Sequence, residues 1–569
     1  YNTQTLNNIM KKLHFLFVLV LAALFTFGFG ANLNPVNDFG HRYVVIVDGK
    51  EITIPANVFD KIRADIGSAD LPDWALMSPD KDGYEGTRTL ELYDYIKTLN
   101  LEPKPLVVAV MDSGFEMDHP DLKDNIWNNE AEINGQAGVD DDGNGYVDDF
   151  HGWNFLGKAV NLNLEVTREY ARMKKEGVSE TDSYYKKVKA EYDKKKTEDT
   201  ETYEYIKMLA ADLRDAVAVL KENNVTSDPK QLQEISDKLT GKVQEAAQKI
   251  LGTYMLTGAG PDEIIEYEGM YKSKTEVLYD LNLDPSTLIG DNSKVMNEKN
   301  YGDNDPSVKV SSHGTHVAGI IGSTKTGVGQ APFVKLMYLR VVPADGDERD
   351  KDIANGIRYA ADNGASIINL SAGKYYPNNP NYVKEAIQYA ESKGVLFVVA
   401  AGNEGTNIES TINYPVKFYK ENNEMKYFSN LVCVGANTWM KQWNTEKDPL
   451  NLTRKYDLAA VFSNYSDKVV DLFAPGVEIN STVPGKTYKR MSGTSMSAPE
   501  TAGVAAILKG YFPNLTPAQI KDILMKSSRK YTALEVKSKE LKKVEFSKLS
   551  KSGGVLDAYN AFKMAMEMK

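Results

Sequence analysis

Four short segments carry residue types that together can do acyl-transfer chemistry. Val107-Val-Ala-Val-Met-Asp112-Ser113-Gly114 places an aspartate at the end of an apolar, β-rich run. His313-Gly-Thr-His316-Val-Ala-Gly-Ile opens a small-residue helical stretch with a histidine. Val398-Val-Ala-Ala-Gly402-Asn403-Glu-Gly405 places an asparagine at another strand end, and Ser492-Gly-Thr-Ser495-Met-Ser-Ala-Pro499 opens an apolar helix with a serine. Taken singly, each has a structural explanation. A strand-end Asp caps a turn, Asn beside Gly makes one, and Gly-Thr-Ser is a helix N-cap. Taken together they supply an orienting acid, a base, an oxyanion donor and a nucleophile.

A second group is Asp140-Asp-Asp142-Gly-Asn144-Gly145-Tyr146-Val-Asp148-Asp149. Side-chain oxygens recur at alternate positions, with glycine where the loop must turn and a backbone carbonyl, that of Tyr146, next in line. This is the front half of an EF-hand-type calcium loop. The twelfth position is His151 rather than Glu, so Asp148 or Asp149 would have to close the shell. The competing reading is a plain acidic turn. Asp303-Asn304-Asp305 is a weaker oxygen cluster.

The elements that must position these groups alternate. Apolar strand candidates fall at 106–111, 334–342, 365–370, 395–400, 431–436 and 469–473. Helical candidates fall at 314–322, 351–363, 380–393, 495–510, 516–527 and 555–566. Strands apolar on both faces, interleaved with helices, imply an α/β fold: a parallel sheet flanked by helices. Residues 43–54, two β-rich runs around Asp48-Gly49, read as a hairpin. Residues 156–300 break the alternation. They are richer in charge than the rest of the chain, and Ile206, Leu209, Ala210, Leu213, Val217 and Leu220 recur at helical spacing. They read as a large helical insertion, which could cap the cleft or stand as a separate hairpin in solvent. Cys433, in an apolar strand, reads as a small buried hydrophobe.

The four segments resemble those of the subtilases, the subtilisin-like serine peptidases. Their order is Asp, His, Ser, whereas α/β-hydrolases run Ser, acid, His. The resemblance implies a subtilisin-like sheet and a triad of Asp112, His313 and Ser495, with Asn403 donating to the oxyanion. It implies a structural role for His316. It places Ser371, Ala372 and Gly373 along one edge of the substrate site and Ala401 and Gly402 on the wall of the first specificity pocket. The base of that pocket falls at Asn413, unless the loop is longer here and Asn413 points elsewhere. Many subtilases carry a smaller residue there, and acidic loops like 140–149 recur in the family. The metal ligands implied are Asp140, Asp142, Asn144, Tyr146, Asp148 and Asp149, holding a structural Ca2+. The leading function is a serine endopeptidase. A catalytically dead relative and an esterase with the same triad are the alternatives.

The chain has 569 residues, enough for two to four domains or one large domain with insertions. Its net charge is −12, which gives no electrostatic footprint for nucleic acid; the partners expected are polypeptide substrates. A single cysteine forbids an intrachain disulfide. Lys11 and Lys12, a short apolar run and Gly28-Phe-Gly-Ala31 read as a signal peptide over 10–30, hence secretion or periplasmic export without stable membrane insertion afterwards. An uncleaved anchor is the alternative. Residues 31–73 are then an N-terminal extension or short pro-segment, and 74–155 with 301–569 the catalytic domain.

Overall fold

The computed structural model describes residues 42–47, 50–55, 71–257, 260–307, 310–325, 327–409, 413–441, 457–537 and 543–568. The segment 10–30, read above as a signal peptide, and most of 31–73 lie outside the described residues.

The described chain forms two compact units. The first contains residues 190–276 and the strands at 42–55, and the second contains the rest of the described chain. The second unit is built on a nine-stranded sheet. In chain order its strands are β1 (Val107–Asp112), β2 (Gly152–Asn154), β3 (Lys335–Arg340), β4 (Ala365–Leu370), β5 (Leu396–Ala400), β6 (Leu431–Asn437), β7 (Leu472–Pro475), β8 (Arg529–Lys530) and β9 (Gly554–Val555). In space the order is β8-β9-β7-β6-β5-β4-β1-β3-β2. Every pairing is parallel except β8 with β9.

The central strands are largely apolar because both sheet faces are covered. Val108, Val110, Leu336, Tyr338, Leu396, Val398, Val432 and Val434 point to one layer. There they meet two helices, α1 (Ser312–Gly322) and the long Thr494–Tyr511. Ala109, Met111, Met337, Leu339, Phe397, Val399, Leu431 and Cys433 point to the other, against α2 (Asp350–Asp362) and α3 (Pro380–Ser392). The period of two therefore separates two cores rather than a core from solvent. Cys433 is one of the buried hydrophobes, and burial pushes its thiol up to about 12.

Two element starts lie three residues from the sequence reading, the largest offsets among the elements read there. The run at 469–473 begins pairing only at Leu472. Asp471 is fully buried; its N–H donates to Cys433 O at 2.8 Å, and its carboxylate accepts Lys417 Nζ at 2.6 Å and the Cys433 amide at 3.0 Å, so a buried charge pair marks the start of the pairing. The final helix starts at Ala558 rather than 555. Gly554 and Val555 are instead used as β9, and Asp557 caps the helix by accepting the Asn560 amide at 2.8 Å.

Arg340 ends β3, in register with Asp112 at the end of β1. It is fully buried and its guanidinium faces oxygens of neutral groups: Ser113 O, Asn154 Oδ1, Gly157 O and Ala159 O. Burial lowers its pKa to about 10. The cation thereby clamps the turn after Asp112 to the chain leaving β2.

In the first unit, residues 190–222 of the 40-residue helix Ser183–Glu222 pack Ile206, Leu209, Ala210, Leu213 and Leu220 against Ala247, Ile250, Leu251 and Ile264. The last four come from the helices Gly241–Thr257 and Pro261–Leu278. The strands Arg42–Val47 and Lys50–Pro55 pair antiparallel, with Tyr43 opposite Ile54. Among the described residues no helix is long and apolar enough to cross a membrane.

The helix Thr494–Tyr511, here α4, carries Glu500, which is fully buried and bonded to the Gln330 amide; that amide also donates to Thr87 Oγ1 at 3.0 Å. Its second oxygen has no partner, and burial pushes the acid up to about 8. The folded state then binds a proton that the unfolded chain has already released. Stability from this group is complete below about pH 4.5 and declines as pH rises through 8. Glu500→Gln is expected to flatten that decline in denaturant titrations run at pH 5, 7 and 8.5.

Candidate active site

Asp112 is the last residue of β1 and is 1% exposed. Its Oδ1 accepts the Ser113 amide at 2.7 Å, the Ser113 hydroxyl at 3.0 Å and His313 Nδ1 at 2.8 Å. His313 is the second residue of α1. Ser311 caps that helix, its Oγ accepting the His313 amide at 3.2 Å and lying 2.8 Å from Ser113 Oγ. One hydroxyl pair thus joins the helix that carries the imidazole to the turn that carries the carboxylate. Gly314 makes the approach possible: a Cβ there would lie 2.3 Å from Gly114 O.

The imidazole of His313 is 33% exposed. Burial works against its charged form, but the charge of Asp112 and their hydrogen bond outweigh it and hold the pKa above the usual histidine value. His316, one turn on, behaves oppositely. It is fully buried, its Nε2 donates to Ile479 O and Lys489 O at 2.9 Å each, and burial drives its pKa to about 3. It stays neutral and fastens α1 to the hairpin 479–491.

Ser495 is the second residue of α4. Pro499 sits four residues on and has no N–H to give to the Ser495 carbonyl. That carbonyl instead accepts Ser371 Oγ at 2.8 Å, and Ser495 Oγ donates back to Ser371 O at 3.1 Å. In this structure the Ser495 hydroxyl is bonded there and not to His313. Nucleophile–base bonds are often long or unmade without substrate. Asn403 follows β5 and Gly402. Its Oδ1 accepts both the amide and the hydroxyl of Thr494, at 2.8 and 2.9 Å. The carboxamide orientation is therefore set, leaving Nδ2 as the group free to donate beside the start of α4.

The other wall residues converge. Gly373 approaches Asn413 so closely that a Cβ would lie 2.8 Å from the carboxamide. Asn413 Nδ2 donates to Ala401 O at 3.2 Å, and Asn464 Nδ2 donates to the same oxygen at 2.9 Å and to Glu404 Oε2 at 2.7 Å. The Tyr375 hydroxyl donates to Glu404 as well. Ala372 lies between Ser371 and Gly373, partly buried against the core on the α2 and α3 side.

In the acidic loop, Asp140 and Asp142 are joined by Glu132, and carboxylate oxygens of the three lie within 4.8 Å of one another. Glu132 also accepts the amides of Asp141, Asp142 and Asp148, at 2.7, 3.1 and 2.9 Å. Asn144 Oδ1 accepts the Tyr146 amide at 2.8 Å, and the Tyr146 ring packs between Trp153 and Tyr359. Asp148 keeps one buried oxygen unpartnered. Asp149 is fully buried, accepts from Asn129, Asn144 and Tyr359, and is pushed up to about 6 by burial. Asp303 is turned to Asn154 Nδ2 at 2.8 Å. Glu132, Ser311 and Asn464 are not marked in the sequence by any local spacing.

The sequence profile of the subtilase family matches residues 104–547. The chain belongs to the subtilase family of serine-type peptidases. Subtilisin BL of Lederbergia lenta is 35% identical to this subtilase over 215 residues, which cover 37% of this chain and 68% of that protein. The thermophilic serine proteinase of Bacillus sp. (strain AK1) is 38% identical over 220 residues, 38% of this chain and 47% of that protein. This subtilase thus spans about half the length of the second relative. A solved cold-adapted subtilisin-like serine proteinase aligns at 28% identity and a TM-score of 0.34, covering 45% of this chain and 78% of that one.

The Asp112–His313 pair yields a direct test. In an NMR titration of this subtilase the His313 ring is expected to protonate above pH 6.5. In Asp112→Asn its midpoint should fall, because burial then acts without an opposing charge.

Proposed function

We propose that this subtilase is an exported serine endopeptidase acting through Asp112, His313 and Ser495, with Asn403 as side-chain oxyanion donor. The observation that carries the reading is the junction at the start of α4. There Asn403 is held by Thr494 with its amide free, one residue from Ser495. On this reading His313 takes the Ser495 proton as the hydroxyl attacks the scissile carbonyl, then gives it to the leaving amine. Asp112 holds the imidazole with Nδ1–H and stabilises the imidazolium. Charge developing on the carbonyl oxygen meets Asn403 Nδ2 and the Ser495 amide at the positive end of α4.

The substrate would lie along Ser371–Gly373 as an added strand. Asn413 supports a shallow, polar first pocket between that edge and Ala401-Gly402. The signal-like segment 10–30 supports export and the net charge supports polypeptide rather than nucleic-acid partners. The oxygen-rich loop supports a bound Ca2+ held by Glu132, Asp140 and Asp142, with Asn144, Asp148 and the Tyr146 carbonyl as further ligands. Asp149, turned inward, would act by holding Asn144. When bound, the ion supplies cross-linking of a loop that has no disulfide to hold it.

Two experiments test this. Wild type is expected to react with a serine-directed fluorophosphonate and to cleave casein, and Ser495→Ala to do neither while remaining folded. Labelling with ester cleavage alone would make it an esterase. Asn403→Ala should lower kcat by about 10²–10³ with little change in KM, since its bond forms as charge develops. Unchanged kcat would remove the oxyanion assignment.

Calcium is expected to raise Tm relative to chelator, because a ligand of the native state stabilises it by mass action. Glu132→Gln and Asp142→Ala should each abolish the difference. Equal Tm values in wild type with and without the ion would remove the site.

A further inference from the structure

The substrate-edge segment Ser371–Gly373 runs directly into Lys374, whose side chain is 2% exposed. Its ammonium contacts Glu165 Oε2 at 2.7 Å, Asp350 Oδ1 at 2.8 Å and the Glu348 carbonyl at 2.8 Å. Two of its N–H groups are donated, to Glu165 and to the Glu348 carbonyl, and Asp350 adds a second carboxylate in ion-pair contact. The backbone of Lys374 is used as well. Its N–H donates to Tyr414 O at 3.1 Å, and the Tyr414 N–H donates back at 2.8 Å. Tyr414 follows Asn413. One residue is therefore bonded to both sides of the pocket: covalently to Gly373, and through a bridge to the segment that carries Asn413.

Glu165 lies far from these residues in sequence. It opens the helix Glu165–Lys175, in the stretch between the Asp112 and His313 segments that departs from the alternating pattern. The root of that stretch is laced to the chain before α2. Ala344 N donates to Val160 O at 2.8 Å, Leu162 N to Asp345 O at 3.0 Å, and Glu165 N to Asp347 Oδ2 at 2.8 Å. Gly346 has φ +99°, and a Cβ there would lie 1.8 Å from Leu162 O, so only glycine lets the two segments come this close. Arg168 completes the lacing, donating to Glu165 Oε2 at 2.7 Å and to the carbonyls of Asp347 and Glu348 at 3.0 and 3.2 Å.

Glu165 and Lys374 are held in their charged forms. Burial alone would raise the Glu165 pKa, but Arg168 and Lys374 outweigh it and hold the carboxyl well below the usual range. Burial alone would lower that of Lys374, and Glu165 and Asp350 hold it above its ordinary value. A buried ammonium that loses a carboxylate partner cannot stay where it is without cost. Lys374 has no slack, since its backbone is fixed to Tyr414 and its neighbour is Gly373.

We propose that Glu165 is a positioning residue for substrate. Acting through Lys374, it sets where Gly373 stands against Asn413, and so how tightly an extended peptide is held, while Ser371 at the other end of the edge stays tied to Ser495. The proposal rests on the endopeptidase reading. It makes the root of the helical stretch part of the substrate site, whatever the remainder of that stretch does.

The test uses the full chain in five forms: wild type, Glu165→Gln, Lys374→Met, Lys374→Arg and the double variant of the first two substitutions. Each is assayed for fluorophosphonate labelling rate, for KM and kcat on a chromogenic tetrapeptide amide, and for KM on a single-residue ester. Glu165→Gln and Lys374→Met are expected to raise the tetrapeptide KM about tenfold or more, since small misplacements of a binding strand are costly. Labelling rate and ester KM should stay within about twofold. Lys374→Arg, which can still reach both carboxylates, should recover most of the tetrapeptide KM. The double variant Glu165→Gln with Lys374→Met should be no worse than Lys374→Met alone, because both act on one device. If Lys374→Met fails to fold, the isosteric Glu165→Gln decides. A labelled Glu165→Gln with unchanged tetrapeptide KM overturns the proposal, as does a fall in labelling parallel to kcat/KM, which would mark a general structural role. Absence of labelling in wild type overturns the endopeptidase reading and this proposal with it, so the two failures are distinct.

Discussion

The carboxylate of Asp112 sits almost out of water at the end of a central strand, and much of the surrounding arrangement follows from that constraint. A buried charge is tolerated only with hydrogen bonds and an opposing charge. The Ser113 amide and hydroxyl supply the first, and His313 supplies both when it is protonated. The imidazole must therefore come to the strand end, and α1 must start there. Gly314 and the Ser311–Ser113 hydroxyl pair are the local means by which a helix start is brought against a strand end. The cation of Arg340 anchors the same turn from the neighbouring strand, in register with Asp112.

A second constraint comes from Pro499. A proline early in α4 would normally be read as a local matter of helix geometry. Here the carbonyl it leaves free is that of Ser495, and the group that takes it is Ser371 on the substrate edge. The reciprocal bonds between these two serines join the start of the helix to the edge segment of the sheet. Asn403 performs the matching task from the other side, taking the Thr494 amide and hydroxyl with one oxygen. Two neighbouring residues of α4 are thus each tied to a different strand end of the sheet. This suits a site in which the groups must already be in place when charge develops.

A third constraint lies in the stretch that departs from the alternating pattern. Between β2 and α1 the sequence makes a long helical excursion, yet its first helix is bound into the sheet-bearing unit by Glu165 and Arg168. The ammonium of Lys374 has acceptors from the excursion, from α2 and from the chain before it. Loops are usually tolerant of large insertions because their ends contribute little to the core. Here the end of the excursion contributes a charge to a buried network, and that makes its root less replaceable than its middle.

Much of this was readable from the chain alone. The alternation of apolar runs and helical periods located six strands and six helices, because both periodicities are local and both sheet faces are buried. The helix face Ile206 to Leu220 was visible for the same reason. The four chemistry-bearing segments were readable because each packs a strand end or a helix start, a glycine and a functional group into fewer than ten residues. What the sequence left open are pairings that reach outside the short segments: Glu132 with Asp140, Ser311 with Ser113, Asn464 with Ala401, Glu165 with Lys374. It also left open the strand start at Leu472 and the helix start at Ala558, where a buried Lys417–Asp471 pair and an edge pairing of Val555 override the local pattern. A residue's type and its near neighbours determine which element it joins and what chemistry it can offer. Which charge it must neutralise and which carbonyl it must satisfy depend on what the fold brings within about 3 Å, and sequence separation carries no information about that.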